Sequence, residues 1–335
     1  MSWIEQVERR ASILIDQIST IKQIAIRNGG DPIALSAPYQ RLLTSLYEDE
    51  AQLARTVDDS DLVAWLRGPA VDTETPRIML VSSALIDLRT QITRMTKAIL
   101  GMDEGARFKQ SDFDLAMSGL AHGSLVVGIK VMHPSEISGT RHLWQEEEAK
   151  VYNSVRTVIR RLASISRHIG DDAVNDSIRE DIKDPIERDS LLVATYHLAP
   201  SGRRGVDEVQ LLQGGDNAEA AGRSLTRNDR VILKESITRP VRSQKHATLR
   251  GTVREVDLDA GRFEIRLQDA AGWRVRCSAP NMPIDMWKQI LDGTIEIYGR
   301  TEYLGDMPRL VEVEEVKGFN PAPANGKLDL KSADR

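Results

Sequence analysis

TLRGTVREVDLDAGRFEIRLQDAAGWRVRC, residues 248–277, sets arginines at alternate positions among valine, isoleucine, phenylalanine and tryptophan. Strand side chains point to opposite faces in turn, so the pattern reads as strands with one apolar face and one arginine-rich face. It places Leu249, Val253, Phe263, Ile265, Leu267, Trp273, Val275 and Cys277 inside. Arg250, Arg254, Arg262, Arg266, Arg274 and Arg276 then lie outside, opposed by one outward Glu264. The segment Asp257-Leu258-Asp259-Ala260-Gly261 suits a tight reversal between the first two strands.

Downstream, Gly272–Ala279 reads as a third strand and Ile284–Leu291 as a short helix. Thr294–Tyr303 and Arg309–Val316 read as two final strands. This β-β-β-α-β-β order over residues 245–319 resembles an OB-fold, a five-stranded Greek-key barrel, although an SH3-like barrel or a short sandwich shares the pattern. The resemblance implies a ligand on the outer face of the second and third strands, between the loops after the first and fourth. The arginine cluster maps to that region.

Arginine forks suit two ligands: the phosphates of a nucleic acid, and the carboxylates of a protein surface, belonging to a partner or to this chain's own helical module. Asp257 and Asp259 stand in one rim loop and Asp306 in the other, and no aromatic residue accompanies the arginines. A funnel for nucleic acid is not normally rimmed by acids or devoid of stacking side chains. A protein partner is therefore the first expectation, nucleic acid the alternative, and an ordinary solvated strand face the simplest reading.

Working outward, TRPVRSQ precedes the barrel and reads as a linker over residues 238–244; residues 320–335 read as a flexible tail. Residues 1–104 read as a helical bundle or coiled-coil-like module. Ser2 and Glu5 fit a capping box, and Ile4, Val7, Ala11, Leu14, Ile18, Ile21 and Ala25 form a heptad seam ended by Gly29-Gly30. A second seam runs through Ile78, Val81, Leu85, Leu88, Ile92, Met95 and Ile99, after Pro76 in a first-turn position. Pro38–Ala54 reads as a further helix, and Asp61–Arg67 as a short one. The seams can pair within the chain or between copies, so homo-oligomerisation is open.

Residues 105–237 read as a mixed α+β module. Two strands flank Gly119–Gly123, a long helix covers His142–Ile169, Pro185 opens a helix to Leu198, and Val206–Leu212 is a strand. Ser201-Gly202-Arg203-Arg204-Gly205 is a structural turn that also offers an anion site through Arg203 and Arg204. It lacks the lysine and spaced glycines of a P-loop. The fold class expected is thus a multi-domain α+β chain.

The formal charge of −5 argues against a generally basic nucleic-acid glove. One cysteine allows no internal disulfide, and six histidines without paired spacing give no zinc motif. MSWIEQVERR puts Glu5 and Glu8 where a secretory signal would need an apolar core, and no run approaches about 20 apolar residues, so a cytoplasmic location without membrane contact is expected. No nucleophile elbow, metal cluster or paired-carboxylate site stands out, so no cofactor and no catalytic residue are assigned. The expectation is a non-enzymatic binding or adaptor subunit.

Overall fold

A computed structural model describes residues 2–320 except 73–74, 76, 103–105, 107, 109–113, 122–124, 139–145, 204, 216–221, 259 and 269–272. The readings placed on Pro76, Arg204, Asp259, Gly272 and the tail beyond Asn320 lie outside the described residues. The chain divides into two compact units. One comprises Met1–Thr96, Arg107–Asp172 and Ala194–Val231; the other comprises Lys97–Ala106, Ala173–Val193 and Ile232–Arg335.

In the first unit, helix α1 (Trp3–Arg27) opens with the expected capping box. Ser2 Oγ accepts from Glu5 N at 3.2 Å, and the Glu5 carboxylate accepts from Ser2 N at 2.9 Å. Val7 and Ala11 pack against Leu46, Ala51 and Ala54, so these seam positions are filled from within the unit. Helix α2 (Pro32–Ser45) is capped by Asp31, whose carboxylate accepts from Ile33 N at 2.8 Å. Pro38, expected to open this helix, lies inside it, because Asp31 supplies the cap and Pro32 the first-turn proline. A π-helical turn at Leu46–Glu50 leads into α3 (Ala51–Asp58).

Asp61–Arg67 is not helical. Leu62–Arg67 forms strand β1, the middle strand of an antiparallel sheet with β2 (Leu115–Ala121), β3 (Leu125–Val131), β4 (Glu208–Gln213) and β5 (Leu225–Thr226), in the order β2-β3-β1-β4-β5. β1 pairs with β3 on one side and β4 on the other, and Leu62, Val63 and Ala64 are fully buried. A short run buried on both faces has no apolar–polar alternation, so periodicity does not separate it from a helix. Val57, Val63, Val126 and Leu212 build the core on one face of this sheet. Helix α4 (Ile78–Leu100) follows β1, and α5 (Pro134–Ser138) and α6 (Glu146–Ser164) follow β3. Val155, Val158 and Leu162 of α6 are fully buried.

The second unit holds α7 (Ser177–Asp181), the first residues of α8 (Pro185–Leu198) and the end of α9 (Arg227–Thr238). Its barrel strands are β6 (His246–Asp257), β7 (Arg262–Leu267), β8 (Arg274–Ser278), β9 (Thr294–Leu304) and β10 (Met307–Asn320), with α10 (Ile284–Gln289) between β8 and β9. They close in the order β10-β8-β7-β6-β9, with β10 and β8 parallel and the other neighbours antiparallel. This closed five-strand mixed barrel is compatible with an OB-like barrel.

Val253, Phe263, Ile265, Val275 and Cys277 fill its core with Ile290, Ile295 and Ile297, as alternation requires, and the Phe263 and Trp287 rings meet edge to face at 5.8 Å. Gly299 permits close strand approach, since a Cβ there would lie 2.0 Å from the Glu312 carbonyl oxygen. Burial pushes the Cys277 thiol well above its usual range. This only cysteine of the chain is therefore expected to resist thiol reagents in native buffer and to react in step with urea unfolding followed by circular dichroism. Rapid labelling of the native protein would contradict a closed barrel.

Candidate functional site

The β7–β8 register sets Arg262 opposite Ser278, Glu264 opposite Arg276, and Arg266 opposite Arg274. Because side chains two apart share a face, these residues form one polar surface outside the barrel core. Glu264 stands at its centre. Its Oε1 accepts from Arg276 Nε at 3.2 Å and Nη2 at 3.0 Å, and its Oε2 accepts from Arg274 Nε at 3.0 Å and also from Arg274 Nη2.

The surface is covered by the start of α8, within the same unit. Arg262, expected outside, is only 5% exposed. Its Nε and Nη2 grip the Asp189 carboxylate bidentately at 3.1 and 2.8 Å. Nη1 donates to Ser278 Oγ at 2.8 Å and to the Ala260 carbonyl at 3.0 Å, and Nη2 also donates to the Ile237 carbonyl. All five N–H groups of this guanidinium are thus used. Arg276 reaches the same carboxylate, with Nη1 3.6 Å from Asp189 Oδ2, and donates to Ser190 Oγ.

Two more clasps hold the segment before α8 and its first turn. Arg309 donates to Asp184 through Nε at 3.3 Å and Nη2 at 2.7 Å, with its guanidinium 5.2 Å from the Trp273 ring centre. Glu302 of β9 accepts from Arg188 and Arg179 and from the Arg242 backbone N–H at 2.8 Å. Arg188, Asp189 and Glu302 are all buried, so each charge is desolvated and stands only because a partner meets it.

The remaining members of the arginine set are placed differently. Arg250 and Arg254 are exposed, and Arg254 meets Asp292 at 3.1 Å; Arg266 is half-buried. Of the expected rim acids, Asp306 is exposed, and Asp257 accepts from the Ala260 N–H at 3.1 Å in its own turn. Sequence alternation located the surface but not its cover. The usable signal was Glu187-Arg188-Asp189-Ser190, four polar residues inside an otherwise apolar helical stretch, PIERDSLLVA.

Burial by itself would raise the carboxyls of Asp189 and Glu264. Arg262 and Arg276 beside Asp189, and Arg276 and Arg274 beside Glu264, outweigh it and hold both below the usual carboxylate range. For Arg276 burial opposes the charge, but Glu264 and Asp189 bind its proton more firmly than usual. Arg188 goes the other way: burial lowers its pKa more than Glu302 restores it.

Arg203, of the expected anion site, lies in the first unit. Ala64, Leu66 and Val209, on the sheet face opposite Val63, line a cavity of about 640 Å³. Ser83, Asp87 and Gln91, one helical row of α4, form part of its wall, and Arg203, on the 199–203 turn, and Arg227 and Arg230, on α9, also line it. Arg230 is committed to structure: it donates to the Tyr196 carbonyl at 2.5 Å and the Ala199 carbonyl at 2.7 Å, satisfying the end of α8. Arg203 is exposed; Arg204 lies outside the described residues. Among the described residues no group of three or more His, Cys, Asp or Glu is arranged to hold a metal ion, and no helix is long and apolar enough to cross a membrane. No protein-family model, curated protein or solved structure matches this chain.

Removing one member of a buried pair leaves the other unpaired, at a cost of about 3–5 kcal/mol. Asp189→Asn is expected to destabilise the protein by that order in urea titration, while Arg254→Gln, on an exposed pair, changes stability by less than about 1 kcal/mol. Because the folded-state carboxyl values are depressed, their stabilisation is complete above the ordinary carboxylate range and is lost as pH falls through the lowered values. Wild-type stability should therefore fall on acidification, and Asp189→Asn should flatten that acid limb. An unchanged limb would contradict the network.

Proposed function

We propose that this protein is a non-enzymatic binding subunit that acts by docking on another protein, and that its barrel is an OB-fold used as a scaffold for the chain's own segment 179–190. The observation that carries this reading is the full occupation of the Arg262 guanidinium, together with the pairing of Arg274 and Arg276. A phosphate backbone arriving at β7–β8 would have to displace Asp189 and Glu264 and pay the desolvation of both. Counterion release from the solvated side does not offset that cost. Backbone-phosphate binding therefore keeps only the exposed Arg250 and Arg254 of the original set.

The protein partner is assigned to the tip of the α1–α2 hairpin. Ile24, Ile26, Ile33 and Leu35 are each more than half exposed there, with Ile26 at 68% and Ile33 at 70%. A cluster of large aliphatic side chains held in water is unfavourable by about 25 cal/mol per Å² and marks a contact surface. Exposed Arg27 stands beside it in the chain, so the complementary surface is apolar with carboxylates at its border.

Sedimentation of the full chain, purified under native conditions from its own cells, tests the reading. A complex of fixed stoichiometry is expected, and Ile26→Asp with Ile33→Asp should dissociate it by at least about tenfold in affinity without loss of helical signal. A wild-type chain that sediments alone would overturn it. So would oligonucleotide binding that weakens steeply with salt and loses slope when Arg262, Arg266, Arg274 and Arg276 become glutamine.

A further inference from the structure

Ile13, Ile24, Leu35 and Leu42 are each more than half exposed, and helical geometry puts all four on one flank of the α1–α2 hairpin. Ile13 and Ile24 stand about three turns apart on α1, and Leu35 and Leu42 about two turns apart on α2, so each pair shares a face. Ile24 precedes Ala25 and Leu35 precedes Ser36, both buried; Leu42 precedes Leu43, which packs on Leu46 and Val7 in the seam between the helices. The short connection at residues 28–31 makes the helices antiparallel neighbours. Such a pair is related by a twofold axis through its face, so a residue just before a seam residue lies on the same flank in both helices. Half-buried Ile21 and Tyr39, three residues from Ile24 and Leu42, extend the strip. A continuous run of aliphatic side chains in water marks a contact surface.

The charges bordering this flank say what fits it. Arg9 lies midway between the seam residues Val7 and Ala11, and Asp16 midway between Leu14 and Ile18, so both stand on the edge of α1 away from α2. Arg41, midway between Tyr39 and Leu43, stands on the edge of α2 away from α1. Asp16 and Arg41 therefore cannot meet within one chain. Arg10 is taken by Glu50, whereas Arg9, Asp16, Arg27, Arg41 and Glu48 are exposed and make no ion pair among the described residues. From base to tip, α1 reads Arg9, Asp16, Arg27, and the α2 side reads Glu48, Arg41, Asp31. Plus, minus, plus on one edge faces minus, plus, minus on the other. A second copy laid face to face, with its α2 over this α1, sets the two patterns side by side, and the twofold repeats the match at the second edge. The surface that offers the same aliphatic strip with the opposite charge order is thus this hairpin itself.

We propose that the chain pairs with a second copy of itself through this flank, the two hairpins forming a four-helix bundle with both tips at one end. The inference rests on the reading of the hairpin as a contact surface and divides its tip. Ile24 and Leu35 face the second copy. Ile26 and Ile33, which follow Ala25 and Pro32, lie on the opposite flank and stay open to the other protein.

Sedimentation velocity of the full chain, produced alone and run from about 1 to 100 µM, tests it. A reversible dimer is expected. Ile13→Asp with Leu42→Asp, at exposed positions, should weaken it by at least about tenfold with helical circular dichroism unchanged. Ile13→Ser with Leu42→Ser serves if the acidic pair lowers the helical signal. Asp16→Arg and Arg41→Asp should each weaken the dimer by about threefold or more, and the two together should restore it, because the edge pair re-forms with its signs exchanged. Ile26→Asp with Ile33→Asp, the changes that release the docking partner, should leave the dimer intact, so the two readings fail separately. A wild-type chain that stays monomeric throughout overturns the proposal, as does a dimer untouched by the changes at Ile13 and Leu42. A double charge reversal no tighter than either single one overturns the face-to-face arrangement.

Discussion

Asp189 is the pivot of the second unit. It is a fully buried carboxylate on the first turns of α8, gripped by Arg262 from β7 and approached by Arg276 from β8. Those arginines also engage Ser278, Ala260, Ile237 and Glu264, so one carboxylate ties a helix, two strands and the end of α9 into a single polar layer. Nothing in that layer can be removed singly without stranding a charge in a low-dielectric setting. Such a network contributes little net stability over an apolar equivalent, but it fixes which helix lies on which strands.

The contrast with a nucleic-acid-binding barrel follows from this. The outer face of the second and third strands is where OB-like barrels receive ligands, and here it receives a segment of the same chain. Three arginines of residues 248–277 are thus met by internal carboxylates: Arg262 by Asp189, 73 residues away, and Arg274 and Arg276 by Glu264 of the same stretch. The proposed contact with another protein is accordingly placed elsewhere, on the aliphatic tip of the α1–α2 hairpin.

The barrel was legible because period-two alternation names the inward side of each strand, and Phe263, Ile265, Val275 and Cys277 are indeed its core. Alternation says only that the other side is not barrel core. Whether water or a helix meets Arg262 depends on non-local pairing, to which no local pattern points. The same blindness explains β1: LVAWLR is buried on both faces, so its sequence lacks the polar beat that marks a half-exposed strand. For the cavity, Arg203 was visible in its glycine-flanked turn, whereas Gln91 was one polar residue in a long helix.

The central claim is that the arginine face is bound from within. A double-mutant cycle on Asp189→Ala and Arg262→Ala, read as stability in urea, tests it most directly. The account predicts large single effects and a coupling of about 1–3 kcal/mol, because the second removal costs less once the first charge has gone. Additive losses would contradict it and would return Arg262 to the solvent-facing surface on which an external ligand could act.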